Sequence, residues 1–366
     1  MNFSFAHSHT QGFLNLVNSP FSLAFCICFL SLIGGATYIY CYPNPQRERV
    51  IFWIASLMLI LFSAFRPVGL GIDDAGYVLY TKNICSFLEC FKLIQSPRDY
   101  VWFSLVGLLK SFFSGEQAIL LISAAGVFIQ LYCIDRLCRQ KLLALILFTP
   151  LIYLLFDLTI LRAGFALGWY FLAIFFLVRS KFFLGGTLLA SNFLTHSQAI
   201  FSIALAPFLW LSKKRRLAIA LIALCLLGMY LQITPTIDQL SLFTSASVQP
   251  YLEKAMDGGY EGENKFPVID LLLMIYLAAI IIKEDINKFS SKLNQYIVAS
   301  ALLAIFLAWF FAPIHAVQTR LFDFYIAPIV FLAGNLRQNK YLFFGTIFLS
   351  ILIYIRMEVI HNFILG

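Results

Sequence analysis

The chain has 366 residues, of which 61% are apolar and only 12% are charged, and its formal net charge is +8. Soluble domains are nearer to about 45–50% apolar and about 25% charged, and a soluble fold could not remove so much apolar surface from water. These values exclude a soluble enzyme, a disulfide scaffold and a disordered chain, and they leave a polytopic membrane protein. Cytoplasmic loops that collect Lys and Arg explain the positive charge, so nucleic acid is not an expected partner.

Continuous apolar runs predict an all-α fold of about ten membrane-spanning helices, because about 20 apolar residues cross the hydrocarbon core of a bilayer. The weaker segment 101–113 is expected to be an interfacial helix. The expected spans are, in chain order, residues 21–40, 50–65, 117–135, 142–160, 163–178, 217–234, 267–283, 293–313, 321–336 and 341–357.

Residues 182–211 form a different kind of segment, which is roughly thirty residues long and is interrupted near His196. Basic residues flank it on both sides, at positions 179–181 and 213–216. Because positively charged flanks stay in the cytoplasm, both ends are predicted to be cytoplasmic. The segment is therefore expected to be a re-entrant hairpin of two half-length helices, with His196 at its tip.

The same positive-inside rule predicts the orientation of the rest of the chain. Both termini are expected outside, and residues 1–366 are expected to form a single transmembrane domain. Its long external segments would cover about 66–116 and 235–266. Cys85 and Cys90 lie in the first of these segments, and the sequence does not decide whether they form a disulfide or remain two free thiols.

Ionisable residues at the borders of the apolar runs are the functional candidates, because charge near a bilayer is costly. Arginine donates paired hydrogen bonds that match phosphate oxygens, which suggests a lipid-linked phosphate or diphosphate as the ligand. Histidine can take a proton from a hydroxyl near neutral pH, and an aspartate can orient that histidine or act as the base. The residues predicted on the external side are Arg66, Asp73, Asp74, Arg162, His196, His315 and Arg320.

Structural roles are an alternative for each of these residues. An arginine at a helix end can reach toward lipid headgroups, and a histidine at a hairpin tip can be a hydrogen-bonded structural residue. Asp73 and Asp74 can cap a helix that begins near Ala75, and two adjacent acids make a poor metal site. Tyr77 and Tyr251 can stack on sugar rings or belong to the aromatic belt at the membrane surface.

Three short blocks resemble, in order and spacing, the signature of the EpsG/Wzy-like polysaccharide polymerases. The chain departs from that signature where an acid, Asp74, directly follows Asp73, so that either carboxylate can be the one that matters. The blocks are Phe65-Arg66 with Gly71-x-Asp73-x-x-x-Tyr77, then Arg162-Ala163, and finally Ala190 through His196-Ser197-x-Ala199.

The resemblance implies a GT-C-like, multi-span glycosyltransferase of the bacterial inner membrane, with a periplasmic active site and no metal or other cofactor. Its substrate would be an oligosaccharide repeat unit on undecaprenyl diphosphate, and its product O-antigen or a similar surface polysaccharide. A chain-length regulator is the expected protein partner. The roles that follow are diphosphate binding by Arg66, Arg162 and Arg320, catalysis by His196, Asp73 or Asp74, and sugar binding by Tyr77, His315 and Tyr251.

Three other functions remain open at this point. A flippase of lipid-linked oligosaccharide also needs basic residues, but it would carry charge through both leaflets, whereas the spans here are nearly uncharged. An O-antigen ligase would share the reaction centre of a polymerase. An O-acyltransferase would use His196 but leaves the arginines unexplained.

Overall fold

The structure is a computed structural model that describes residues 20–68, 74–83, 100–231, 233, 235, 268–283, 291–336 and 340–360. The regular secondary structure in these ranges is helical throughout. The α-helices are α1 Pro20–Cys41, α2 Pro45–Phe65, α3 Asp74–Asn83, α4 Tyr100–Lys110, α5 Gly115–Leu137, α6 Lys141–Phe148, α7 Leu161–Val178, α8 Phe182–Thr195, α9 Leu205–Ser212, α10 Arg215–Tyr230, α11 Val268–Lys283, α12 Lys292–Phe310, α13 His315–Ile326, α14 Ile329–Ala333 and α15 Lys340–Ile360. A π-helix covers Thr149–Asp157, and a 3-10 helix covers Ser197–Ala204.

Each apolar run predicted to span the membrane coincides over most of its described length with one or two helices, and the predicted interfacial segment 101–113 is helical over Tyr100–Lys110. Within the described residues, five helices are long and apolar enough to cross a membrane, which makes the chain a polytopic membrane protein. The count of ten spans stays a prediction, because several helices are shorter. The five are Pro45–Phe65, Gly115–Leu137, Leu161–Val178, Lys292–Phe310 and His315–Ala333.

Helix α2 has the distribution of side chains expected of a helix in lipid. Its outward face is apolar and its inward face includes two serines, the reverse of a helix on a soluble protein. The exposed residues are Val50, Ile54, Leu57, Met58 and Leu61, and the buried ones are Glu48, Phe52, Ser56, Leu59 and Ser63.

The chain divides into two compact units, Met1–Ile200 with Val330–Gly366, and Phe201–Ile329. The core of the first unit is the continuous pair of α6 and the π-helix, whose residues are mostly apolar and nearly all buried. Pro150 lacks the amide hydrogen that an α-helix would donate to residue 146, which favours a change of winding there. Leu158 accordingly donates five residues back, to the Tyr153 carbonyl at 3.1 Å.

Helices α5 and α7 approach closely through glycines. A β-carbon on Gly126 would lie 3.1 Å from the Phe165 Cα, and one on Gly168 would lie 3.2 Å from the Gly126 carbonyl oxygen. Small residues allow such contacts between helix backbones in membranes, where tight packing replaces the hydrophobic effect. These contacts bring the first half of α7 directly against α5.

Helices α7 and α8 form an antiparallel hairpin with a tight turn. Ser180 has a positive φ of 61°, and Lys181 donates its N–H to the Phe176 carbonyl while Ser180 donates to Leu177. These two hydrogen bonds define a Schellman motif, the usual way to end a helix with a left-handed residue. Near the turn, a β-carbon on Gly185 would lie 2.5 Å from Leu177, so the two helices also pack closely.

The second unit packs α9, α10 and α13 against α12. Tyr325 links α13 to its neighbours, since its carbonyl accepts from the Ser300 hydroxyl at 2.5 Å and its own hydroxyl lies 3.2 Å from the Ser202 hydroxyl. Trp309 donates its indole N–H to the Ile233 carbonyl at 2.8 Å. The two hydrogen bonds of Tyr325 are buried, whereas the hydrogen bond between Trp309 and Ile233 is exposed.

The interruption predicted near His196 is confirmed, because α8 ends at Thr195, His196 has extended backbone and a 3-10 helix follows. The return of this segment to the side from which it entered stays a prediction, as does the grouping of residues 1–366 into one transmembrane domain. The prediction that His315 and Arg320 lie in a connection between spans is wrong. Both belong to α13, which begins six residues before the predicted start at 321.

Candidate functional site

The first part of the site is an ion pair between Arg66 and Asp74. Pro67 restricts the residue before it to extended backbone, so α2 ends at Phe65 and is followed by Arg66, whose φ and ψ are −62° and 151°. The Arg66 Nη1 and Nη2 atoms lie 2.5 and 2.8 Å from the two Asp74 carboxylate oxygens. The exposed fractions of the two side chains are 0% and 3%, so the pair is withdrawn from solvent.

Helix α3 connects this ion pair to Arg162. Asp74 is the first residue of α3, and Asp74, Tyr77 and Thr81 lie buried along one face of it. The Tyr77 ring lies 5.6 Å from the Arg162 guanidinium carbon, within the range of a cation–π interaction. The Tyr77 hydroxyl also accepts a long hydrogen bond, 3.5 Å, from the Arg162 backbone N–H.

An aromatic cluster supports Tyr77 from behind. The Tyr77 ring lies 5.8 Å from the Trp102 ring, which in turn meets Phe165 edge-on at 6.2 Å. Trp102 is 2% exposed, so α4, which carries it, contributes to the core of the first unit beneath the site. Since Phe165 stands one turn after Arg162 on α7, the same cluster holds both the tyrosine and the helix that carries the arginine.

The α7–α8 hairpin brings His196 to the same end of the first unit as Arg162. Helix α7 has 18 residues and α8 has 14, which correspond to lengths of about 27 and about 21 Å. Because the helices run antiparallel from one tight turn, the end of α8 lies within about one helical turn of the start of α7. His196 follows α8 directly and donates its N–H to the Asn192 carbonyl at 3.0 Å.

The two arginines of the first unit differ in their surroundings. Arg66 is compensated in charge by Asp74, and both its terminal nitrogens donate to that carboxylate. Arg162 is half-buried, and its guanidinium lies over an aromatic ring, which is one of the contacts that guanidinium groups favour. Together with a histidine at the same end, such a set can bind a phosphate group and handle a proton.

Two predicted site residues belong to the second unit. His315 is the first residue of α13, where its Nδ1 lies 3.2 Å from the Gln318 amide oxygen. Arg320 lies in the middle of α13 and is half-buried. Their roles as a sugar contact and a diphosphate ligand stay predictions.

Other predicted features fall outside the described residues: Asp73, Tyr251, the cysteines Cys85 and Cys90, and nearly all of the segment 235–266. In the first unit, the structure therefore describes the predicted diphosphate-binding and catalytic residues Arg66, Asp74, Arg162 and His196. It also describes Tyr77, a predicted sugar contact. No cluster of three or more metal-ligating side chains occurs in the part of the chain that the structure describes.

Sequence reasoning missed a buried polar group near the start of α7. Asp157 is 1% exposed and accepts a hydrogen bond from the Gln130 side chain at 3.1 Å. A signal was present in the sequence, because Asp157 is an acid inside the apolar run 142–160, and such residues are functional candidates. Asn192 is also fully buried, with no hydrogen bond from its side-chain amide to any described residue.

Comparison with known proteins gives one result. The family described as the EpsG family matches residues 49–364, which include Arg66, Asp74, Arg162 and His196. Neither the curated proteins nor the solved structures in the comparison include one that matches the chain.

Proposed function

Because the chain belongs to the EpsG family, whose members are polysaccharide polymerases of membranes, we propose that it polymerises oligosaccharide repeat units carried on undecaprenyl diphosphate. The reaction takes place at the periplasmic face of the bacterial inner membrane. The growing chain moves from its lipid diphosphate to a sugar hydroxyl of the next lipid-linked unit, and the product is O-antigen or a similar surface polysaccharide.

The observation that carries the proposal is the contact between Tyr77 and Arg162. These residues come from two different blocks of the family signature and are 85 positions apart, yet their side chains meet at 5.6 Å. The Arg66–Asp74 pair lies at the start of the same short helix as Tyr77. Family blocks that converge at one end of a membrane protein support a common reaction centre there.

The proposed chemistry is one displacement at an anomeric carbon. The bond between that carbon and the diphosphate oxygen breaks, and a bond to the acceptor hydroxyl oxygen forms. His196 or Asp73 takes the hydroxyl proton, and undecaprenyl diphosphate leaves with its charge met by arginine. A guanidinium placed where this negative charge grows lowers the barrier. A single displacement inverts the anomeric configuration.

The arginines have different tasks in this proposal. Arg162 binds the diphosphate, because this half-buried residue holds its guanidinium carbon 5.6 Å from the ring of Tyr77. Arg66 shapes the site through its ion pair, since its two terminal nitrogens already donate to Asp74. Arg320 is proposed as a further diphosphate ligand. The GT-C-like architecture and the external termini belong to the same proposal.

Reconstitution tests the function directly. The purified full chain, in lipid nanodiscs, receives undecaprenyl-diphosphate-linked repeat units without nucleotide sugars, and the products are separated on a gel. We expect a ladder of multiples of the repeat, which Arg162→Ala and His196→Ala abolish or shorten. Ser350→Ala, a buried substitution in α15, serves as the control that keeps the ladder. A ladder of full length from both site variants would contradict the assignment.

The absence of a ladder would point to one of two other functions. If added lipid A core then accepts the oligosaccharide, the protein is a ligase. If lipid-linked units accumulate on the cytoplasmic side of cells from which the protein has been deleted, it is a flippase. Both outcomes overturn the proposed polymerase.

A further inference from the structure

Asp157 is an acidic side chain in the core of the first unit, and the proposed function gives it no task. It is the last residue of the π-helix and is 1% exposed. A carboxyl group buried in a membrane protein is costly, so its retention favours a functional role. Four residues separate it from Arg162, which follows the break between the π-helix and α7.

Gln130, from α5, ties together the two sides of this break. Its side-chain nitrogen lies 3.1 Å from the Asp157 carboxylate oxygen Oδ1 and 2.7 Å from the carbonyl oxygen of Gly164 on α7. Two turns earlier on α5, Ser123 donates its hydroxyl to the Asp157 carbonyl at 2.8 Å. One face of α5 therefore holds both the end of the π-helix and the first turn of α7.

The contact requires a glycine at position 164. A β-carbon there would lie 2.5 Å from the Asp157 Oδ1 atom and 2.9 Å from the Phe156 carbonyl oxygen. Any larger residue would have to displace the carboxylate or the backbone of the π-helix. Gly164 thus lets the first turn of α7 rest directly on Asp157.

We propose that Asp157 is a positioning residue that sets the direction of Arg162. With Gln130 and Gly164 it forms a clamp, called here the Asp157 clamp, which holds the chain on both sides of Arg162. This inference rests on the proposed function, in which Arg162 binds the diphosphate. A displacement of a binding group by about 1 Å can reduce the rate by about 100-fold, so a fixed direction has a large effect.

The clamp needs an acceptor oxygen at Oδ1 and does not need a negative charge. An asparagine at position 157 would keep that oxygen and could still accept from Gln130 at the same place. An alanine would remove the acceptor and leave a gap against Gly164. The two substitutions therefore separate the geometric role from one that depends on charge.

Chemical labelling tests the clamp without any catalysis. Arg162→Cys in the full chain, in nanodiscs, is treated with a polar maleimide, and the rate of labelling at residue 162 is measured by mass spectrometry. We expect Asp157→Ala to change this rate several-fold, and Asp157→Asn and the control Ser350→Ala to leave it unchanged. Gln130→Met, which removes the donor at similar volume, should act as Asp157→Ala does. Unchanged rates in both Asp157→Ala and Gln130→Met would overturn the proposal.

Kinetics then test whether the clamp acts through Arg162. With lipid-linked repeat units as substrate, Asp157→Ala is expected to raise KM by about 10- to 100-fold, and Asp157→Asn to restore it. In an Arg162→Ala background the same substitution should have no further effect. If Asp157→Ala raised KM equally in the wild-type and the Arg162→Ala protein, the proposal would be overturned. An inactive wild-type protein would overturn the proposed function instead, and the labelling rates would still decide the clamp.

Discussion

Arg66 and Asp74 meet through two parallel contacts, of 2.5 and 2.8 Å, in a place where both side chains are almost completely withdrawn from solvent. The pair joins the end of α2 to the start of α3 across a connection of only eight residues. Removing one member leaves the other charge buried without compensation, which usually costs more than the pair itself contributes.

Asp74→Asn is therefore expected to destabilise the protein by about 3–5 kcal/mol, and Arg66→Met to do the same. The double variant Arg66→Met/Asp74→Leu should regain most of this loss, because it leaves no isolated charge. Thermal unfolding of the purified protein in nanodiscs measures all three. Additive losses in the double variant would show that the two residues do not act as a pair.

Replacements of Arg162 should distinguish a directed guanidinium from a simple positive charge. Lysine keeps the charge but loses the planar fork of donors, so Arg162→Lys should reduce polymerisation by about tenfold or more. Arg162→Ala should reduce it further. The measurement is the rate of ladder formation per folded protein, and equal activity of the lysine variant and the wild type would show that charge alone is sufficient.

Tyr77 is expected to act mainly through its ring. Its hydroxyl makes only a 3.5 Å hydrogen bond with the Arg162 backbone, whereas its ring contacts both the guanidinium and Trp102. Tyr77→Phe should keep most of the activity and stability. Tyr77→Ala should lose about 3–5 kcal/mol of stability, as deletions of buried aromatic rings do. Thermal unfolding and the ladder assay check both variants, and a Phe variant as inactive as the Ala variant would assign the role to the hydroxyl.

Ser180 offers a stabilising substitution at the α7–α8 turn. Its φ of 61° is unfavourable for a residue with a β-carbon and natural for glycine. Ser180→Gly should therefore raise the stability by about 0.5–1 kcal/mol, and Ser180→Val should lower it. Unfolding curves of the two variants should move in opposite directions, and a shift in the same direction would argue against this backbone geometry.

Two glycines form a matched pair for testing the α5–α7 contact. Gly126→Ala would place a methyl group 3.1 Å from the Phe165 Cα and should destabilise the protein by about 1–3 kcal/mol. Gly345→Ala, on α15, meets no atom within 4 Å and should stabilise its helix by about 0.5–1 kcal/mol. Thermal unfolding compares them, and equal effects would mean that α5 and α7 are not in backbone contact.

Much of the helical framework could be predicted from the sequence because apolar length alone defines a helix in lipid. The break at His196 was also predictable, since the polar residues around it interrupt a long apolar run. The start of α13 was not. His315, Gln318 and Arg320 give its first turns the composition of a loop, yet Gln318 is 3% exposed within the second unit.

The partner of Arg66 and the π-helix could not be read from the sequence. Asp73 and Asp74 are adjacent and chemically identical, so the sequence alone does not indicate which of them pairs with Arg66. Asp74 forms the pair because it lies on the buried face of α3, as Tyr77 does. The π-helix lies in one unbroken apolar run. Because nearly every residue there is apolar, the sequence pattern does not distinguish a π-helix from an α-helix. Pro150 was its only local sign.

The π-helix makes the number of residues between α6 and α7 as important as their identity. A deletion of one residue within Thr149–Asp157 that left the winding unchanged would rotate the chain beyond it by the angle of one residue and would move Arg162 away from the ring of Tyr77. A tighter winding would offset much of that rotation, so the width of this helix and the number of its residues together set the direction of Arg162.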